Sequence, residues 1–170
     1  FLGSLHLEII KDRLEKEFNL DVLVTAPTVT FECFSSLTKK VFYIDNPTKL
    51  DKFGKHLELR EPIVVAIIYT PNQFIGKLIN FCVSRRGVQK DLKYSEDRAL
   101  IVFEIPLCEI IVDFFSIIKS ISNWFASVDF KFLAYVKSNL VRLDVLINGK
   151  VFDAFSTFVH VSFSHKKGRD

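Results

Sequence analysis

Over the first eighteen residues, apolar side chains recur at steps of three and four. Leu7, Ile10, Leu14 and Phe18 share one stripe, while Glu8, Lys11, Asp12, Glu15 and Lys16 fill the other faces. That spacing matches the α-helical turn and predicts an amphipathic helix over Leu5 to Phe18. The period then shortens. Leu20 to Thr25 and Thr28 to Phe34 are rich in Val, Thr and Phe and flank Ala26-Pro27, which predicts two strands with a break between them, since proline lacks a ladder donor. Val41 to Ile44 predicts one more short strand, after a polar stretch from Ser35 to Lys40.

Asp45 to Leu59 loses periodicity and carries Asn46-Pro47 and Gly54, the composition of a linker. Pro62 to Tyr69 is a continuous β-branched run that predicts a strand. From Asn72 to Arg86, Phe74, Leu78 and Cys82 form a stripe beside Ile75, Ile79 and Val83, a helix that Gly87 should stop at the C′ position. Val88 to Tyr94 and Ala99 to Ile105 read as strands around a Ser95-Glu96-Asp97-Arg98 turn. A second helix after Pro106 would bury Ile110, Ile111, Phe114, Phe115, Ile118 and Ile121, and Ala126 to Phe132 alternates as a fourth strand.

The order β-α-β-β-α-β is the ferredoxin-like split plan. The fold class is therefore α+β: a ferredoxin-like domain preceded by the second half of another and followed by a β-hairpin extension, because Leu140 to Ile147 and Lys150 to Phe158 flank Asn148-Gly149, a type I′ turn signal. The expected division is a half-domain over 1–44, a linker over 45–59, a complete module over 60–133 and a further region over 134–170. The polar and basic tail from His160 to Asp170 is expected to be poorly held by itself.

Composition narrows the function classes. Eighteen Phe against six Gly argue for packed structure rather than a flexible polymer. A net charge of +3 is too small to define a nucleic-acid binder, so the placement of charge must decide. Cys33, Cys82 and Cys108 are odd in number and never spaced as CxxC, which implies neither a disulfide framework nor a zinc site and fits a reducing compartment. The longest apolar runs are interrupted by Glu104 and Asp113 and are too short to span a bilayer. With no Met and no signal-peptide pattern at Phe1, the chain is expected to be a segment of something longer.

Candidate chemistry is sparse. A phosphate-gripping loop needs glycines followed by Lys and Ser or Thr, and no GxxxxGK[ST] occurs. His6, His56, His160 and His165 show no metal-ligand spacing, and no Ser or Cys stands in a nucleophile context, so no catalytic, nucleotide-binding or metal residue is expected. Glu109 and Asp113, one helical turn apart, read as a solvated face. The corner formed by Arg85, Arg86, Lys90 and Lys93 offers phosphate-contacting groups, though arginine at a helix end also complements the macrodipole. Lys166, Lys167 and Arg169 form a second candidate RNA-contacting run, against the plain reading of a solvated tail. Trp124-Phe125 carries stacking potential, but a loop-end aromatic usually packs beneath its own sheet, which is the expectation here.

Longer stretches carry a resemblance. Phe1-Leu2-Gly3-Ser4-Leu5-His6-Leu7-Glu8-Ile9-Ile10, then Arg13-Leu14-Glu15 and Glu17-Phe18-Asn19-Leu20-Asp21, resembles the third-domain helix of translocation-type GTPases. Thr25-Ala26-Pro27-Thr28-Val29 is similar to the version in LepA-type factors (elongation factor four), whereas elongation factor G and the BipA-type factor share only the general helix pattern. Leu59-Arg60-Glu61-Pro62-Ile63, Cys82 with Arg85-Arg86-Gly87-Val88-Gln89, Asp113-Phe114-Phe115 with Ala126-Ser127, and Leu143-Asp144-Val145-Leu146-Ile147-Asn148-Gly149 also resemble LepA. The chain departs from that pattern in having Asn123-Trp124-Phe125 where the family has Arg-Gly-Tyr, and Val161-Ser162 where it has Arg-Asp.

The resemblance implies the second half of a third domain over 1–44, an elongation-factor-G-like fifth domain over 60–133 and the start of a LepA-specific C-terminal region. It implies a noncatalytic, ribosome-binding segment of a GTPase linked to back-translocation and fidelity under stress. Its partners would be rRNA and ribosomal proteins, with tRNA near the whole protein. No cofactor or small-molecule ligand is expected in this segment; GTP and Mg²⁺ would sit in a separate GTPase domain. The expected state is monomeric and cytoplasmic or organellar, with peripheral association at the bacterial inner membrane open to the parent. Two other readings use the same βαββαβ order. An ACT-like sensor wants glycine in the first strand-helix loop, where this chain has Thr70-Pro71-Asn72. An RRM-like RNA binder wants stacking aromatics on the third strand, where this chain has Leu100-Ile101-Val102-Phe103-Glu104.

Overall fold

A computed structural model describes residues 4–22, 28–36, 38–45, 47, 57–144, 146–147, 150–151 and 156–163. Helix α1 (Ser4–Phe18) follows the predicted period and carries the i,i+4 ion pairs Lys11–Glu15, Arg13–Glu17 and Asp12–Lys16. It ends where Asn19 turns left-handed (φ 51°) and the Leu20 N–H donates to the Leu14 carbonyl at 3.2 Å. Asparagine tolerates that conformation, and the closed turn leaves Leu20 to Val22 outside any strand, against the expectation of one over Leu20 to Thr25. The remainder of that segment, 23–27, lies outside the described residues.

Strands β1 (Phe31–Ser35) and β2 (Val41–Ile44) form an antiparallel pair with Phe31 opposite Ile44. β1 also pairs with the start of β3 (Leu57–Pro71), Glu32 lying opposite Arg60. Leu57 to Leu59, expected in a linker, are therefore strand. Leu59 alternates with Glu58 and Arg60 and packs into a cluster with Phe31, Cys33 and Ile44, so burial extends the strand backwards.

From β3 the chain passes through a 3-10 turn (Asn72–Phe74) into α2 (Ile75–Ser84), then β4 (Val88–Ser95) and β5 (Arg98–Pro106). A second 3-10 turn (Leu107–Glu109) precedes α3 (Phe114–Ile121), and β6 (Ser127–Lys137) closes the unit. The strands lie in the order β6-β3-β5-β4, all antiparallel. The class is α+β and ferredoxin-like. Since β6 takes one edge of β3, β1 and β5 share the other end to end, and the β1-β2 pair joins the same sheet.

Alternation in β3 and β5 sends Val64, Ala66, Ile68, Ile101, Phe103 and Ile105 under the helices, where they meet Leu78, Cys82, Phe114 and Ile118; each is 3% exposed or less. The second predicted helix is shorter than its apolar pattern. Asp113 is left-handed (φ 52°), so Leu107 to Val112 run as a 3-10 turn followed by a further turn, and only Phe114 onward is α-helical. Phe115, expected on the buried face, is 42% exposed and lies against Phe130. β6 extends to Lys137 because a register shift opposite Ile63 and Val64, with Leu133 as the extra residue, lets pairing continue toward Arg60.

Beyond the sheet, β7 (Leu140–Leu143) pairs with β10 (Thr157–His160), and Phe158 meets Phe31 edge-on at 4.9 Å. β8 (Leu146–Ile147) and β9 (Lys150–Val151) form the expected hairpin arms, Ile147 opposite Lys150; the Asn148-Gly149 turn itself lies outside the described residues. Among the described residues no helix is long and apolar enough to cross a membrane.

Candidate functional site: the arginine corner after α2

The corner predicted from Arg85, Arg86, Lys90 and Lys93 is built by the end of α2. Gly87 donates its N–H to the Cys82 carbonyl at 2.8 Å and Arg86 donates to Val83 at 3.1 Å, the paired bonds of a Schellman close. Arg86, with φ 60°, is the left-handed C′ residue, and Gly87 sits one place later than the sequence pattern implied. Glycine is required there by space: a Cβ would stand 2.6 Å from the Cys82 carbonyl oxygen and 3.1 Å from Ile105 Cγ1.

The left-handed turn at Arg86 is matched by what its side chain holds. Its guanidinium donates to Glu61 through two parallel bonds, Nη1 to Oε1 at 2.9 Å and Nη2 to Oε2 at 2.8 Å, and through Nε to Glu109 at 3.2 Å. The Cys108 sulfur lies 3.2 Å from Nη2. Side-chain exposures of 13% for Arg86, 6% for Glu61 and 11% for Glu109 make this a nearly buried triad of one cation and two carboxylates. Burial alone would lower the Arg86 pKa, but the hydrogen bonds and charge of Glu61, with Cys108 and Glu109, outweigh it and hold the guanidinium above its ordinary value. Glu109 is thus not on a solvated helix face; the break in α3 turns it toward Arg86.

The other three cations are closer to solvent. Arg85 donates to Asp113 at 3.0 Å and lies 5.4 Å from the Phe81 ring centre. Lys90 pairs with Glu104 at 2.8 Å beside a bulge between Gln89 and Asp91, and Lys93 pairs with Asp91 at 3.1 Å. Four cations therefore meet five carboxylates, and the corner has no surplus of positive charge. Lys90 and Lys93, 46% and 72% exposed at the side chain, are its most accessible cations. The second group of candidates, Lys166, Lys167 and Arg169, lies outside the described residues.

Sequence reasoning missed two features. Glu61, just before the β-branched run Pro62 to Tyr69, carries no local sign of its role, because its partner Arg86 lies 25 residues away. Trp124 and Phe125, expected beneath the sheet, are 76% and 61% exposed. Asn123 and Trp124 are both left-handed (φ 49° and 69°), which turns the two rings outward before β6 begins.

Among the described residues no three His, Cys, Asp or Glu side chains gather as a metal site. What the geometry defines is a ferredoxin-like sheet-and-helix module braced by an internal ion-pair triad, with Trp124, the most exposed aromatic among the described residues, on the α3–β6 loop. Residues 58–146 match the family model described as elongation factor G C-terminus, and the chain belongs to that family, a noncatalytic portion of translational elongation factors. A crystal structure of a protein from Thermus thermophilus is 20% identical with a TM-score of 0.46, over 48% of this chain; the chain spans 12% of that protein's length. The family match favours neither the ACT-like nor the RRM-like reading, and β5 presents Leu100 and Val102, both aliphatic, on the sheet face away from the helices.

Proposed function

We propose that this chain is a ribosome-docking, noncatalytic part of a LepA-type translational GTPase, elongation factor four. The observation that carries the ribosomal reading is the elongation factor G C-terminus match over 58–146. The LepA assignment rests on the peptides Thr25-Ala26-Pro27-Thr28-Val29, Arg85-Arg86-Gly87-Val88-Gln89 and Leu143-Asp144-Val145-Leu146-Ile147. In this reading 1–44 is the second half of the third domain, 60–133 the fifth domain and 134–170 the start of the C-terminal region. GTP and Mg²⁺ belong to a separate GTPase domain of the parent, which acts in back-translocation and fidelity in the cytoplasm, with peripheral association at the inner membrane. The chain acts as a monomer whose partners are rRNA and ribosomal proteins.

Within the corner, Lys90 and Lys93 make the phosphate contacts, and their surface ion pairs exchange readily. Arg85 adds a guanidinium at the rim, and Arg86 holds the helix end in place through Glu61. Lys166, Lys167 and Arg169 supply a second basic contact. Ribosome co-sedimentation tests this. Wild-type chain should pellet with ribosomes and be released as salt rises, and Lys90→Glu with Lys93→Glu should weaken pelleting severalfold and flatten the salt slope. Unchanged pelleting of that double variant would remove the corner as the contact.

A further inference from the structure

We propose that the α3–β6 loop is a stacking platform for an unpaired RNA base, with Trp124 as its principal ring and Phe125 beside it. The inference rests on the ribosomal reading above and names the chemical group that this surface takes. Its first support is exposure: Trp124 and Phe125 carry 76% and 61% of their surface to solvent, whereas the core aromatics Phe103 and Phe114 are fully buried.

The second support is rigidity. Trp124 donates its N–H to the Lys119 carbonyl at 2.7 Å, Phe125 to Ser122 at 3.0 Å, and Asn123 to Ser120 at 3.2 Å. The Ser122 hydroxyl, fully buried, accepts the Ala126 N–H at 3.0 Å, and Lys119 Nζ donates to the Ala126 carbonyl at 2.7 Å. A bulky ring on a left-handed residue is an outlier that the surroundings must enforce, and here they enforce it to turn the ring outward. The backbone that carries the rings is therefore fixed before any partner arrives, which reduces the ordering cost of binding.

The third support is the setting. Asn123 and Ser127, which flank the rings in sequence, are polar and exposed, so the rings stand on a polar rim. A nucleobase matches this pattern, with π faces for the rings and hydrogen-bonding edges for the Asn123 amide.

Trp124 is the chain's one tryptophan, so its emission reports the site directly. Titration with a mixed-sequence single-stranded RNA decamer should quench that emission saturably without a blue shift. With fluorescently labelled RNA, Trp124→Ala should weaken binding about ten-fold, and Trp124→Tyr should restore most of it. Emission unmoved by RNA, or Trp124→Ala binding as tightly as wild type, would overturn the inference. A blue shift on ribosomes or anionic vesicles in place of RNA quenching would overturn it too, assigning the rings to an apolar pocket or a bilayer. Wild-type pelleting with ribosomes alongside emission that RNA leaves unmoved would sink the stacking platform and leave ribosome docking standing. RNA quenching without ribosome pelleting would do the reverse.

Discussion

Glu61 and Arg86 show how a local rule is broken where a tertiary contact repays it. Arginine is a poor choice for a left-handed position, yet only a turn at residue 86 brings the guanidinium onto Glu61 and Glu109 from the end of α2. Breaking such a buried pair leaves an unpaired charge, so Glu61→Ala should cost about 3 kcal/mol or more in urea denaturation. A Glu61→Leu/Arg86→Met/Glu109→Leu triple variant, which removes all three charges, should recover much of that loss; equal stability of Glu61→Ala and wild type would contradict the triad's role. The thiols give a pH test. Burial pushes Cys82 up to about 12, and burial with Glu32 nearby pushes Cys33 up to about 11, from an ordinary 9.0. Folded thiols thus stay protonated where unfolded ones ionise, so their contribution is intact below pH 9 and is lost as pH climbs from about 9 toward 11–12. Alkylation followed by mass spectrometry at pH 8 should label half-buried Cys108 first, and label Cys33 and Cys82 only when the chain unfolds. At this scale the sequence revealed that a helix stops near Gly87, but not that Arg86 takes the strained place, because the reason lies in Glu61, 25 residues away.

Elements differ in how much holds them. β3 pairs with β1, β5 and β6 and supplies the centre of the core, while among the described residues no α1 side chain belongs to the buried core, and Ile9 and Phe18 are 50% and 65% exposed. A fifteen-residue helix with so little tertiary packing is marginal in water. Hydrogen exchange should therefore find the α1 amides exchanging at least 100-fold faster than those of β3 and β5, and equal protection would show that α1 is packed far better than its exposure indicates. Periodicity made α1, α2 and the four central strands legible from sequence. It overran at α3, since Ile110 and Phe114 both point into the core but reach it through a left-handed bend at Asp113 rather than along one helix. It fell short at β3 and β6, whose extra length depends on partners distant in sequence.

For the whole molecule, the sheet is continuous across what the sequence divided into half-domain, linker and module, because β1 lies end to end with β5 along β3. That continuity was not legible: the Leu57-Glu58-Leu59-Arg60 alternation is short and follows a polar stretch. The ferredoxin-like order was legible, as it depends on the sequence of elements alone. The basic corner was legible only as cations, since its five carboxylates come from β3, β4, β5 and the Leu107–Asp113 segment. The central claim is that this chain docks on the ribosome as part of a translational GTPase. It is tested most directly by competition: ribosomes loaded with elongation factor G are incubated with increasing amounts of the chain and pelleted. The account predicts that the chain enters the pellet as elongation factor G leaves it, dose for dose. A factor retained in full, with the chain left in the supernatant, would contradict it.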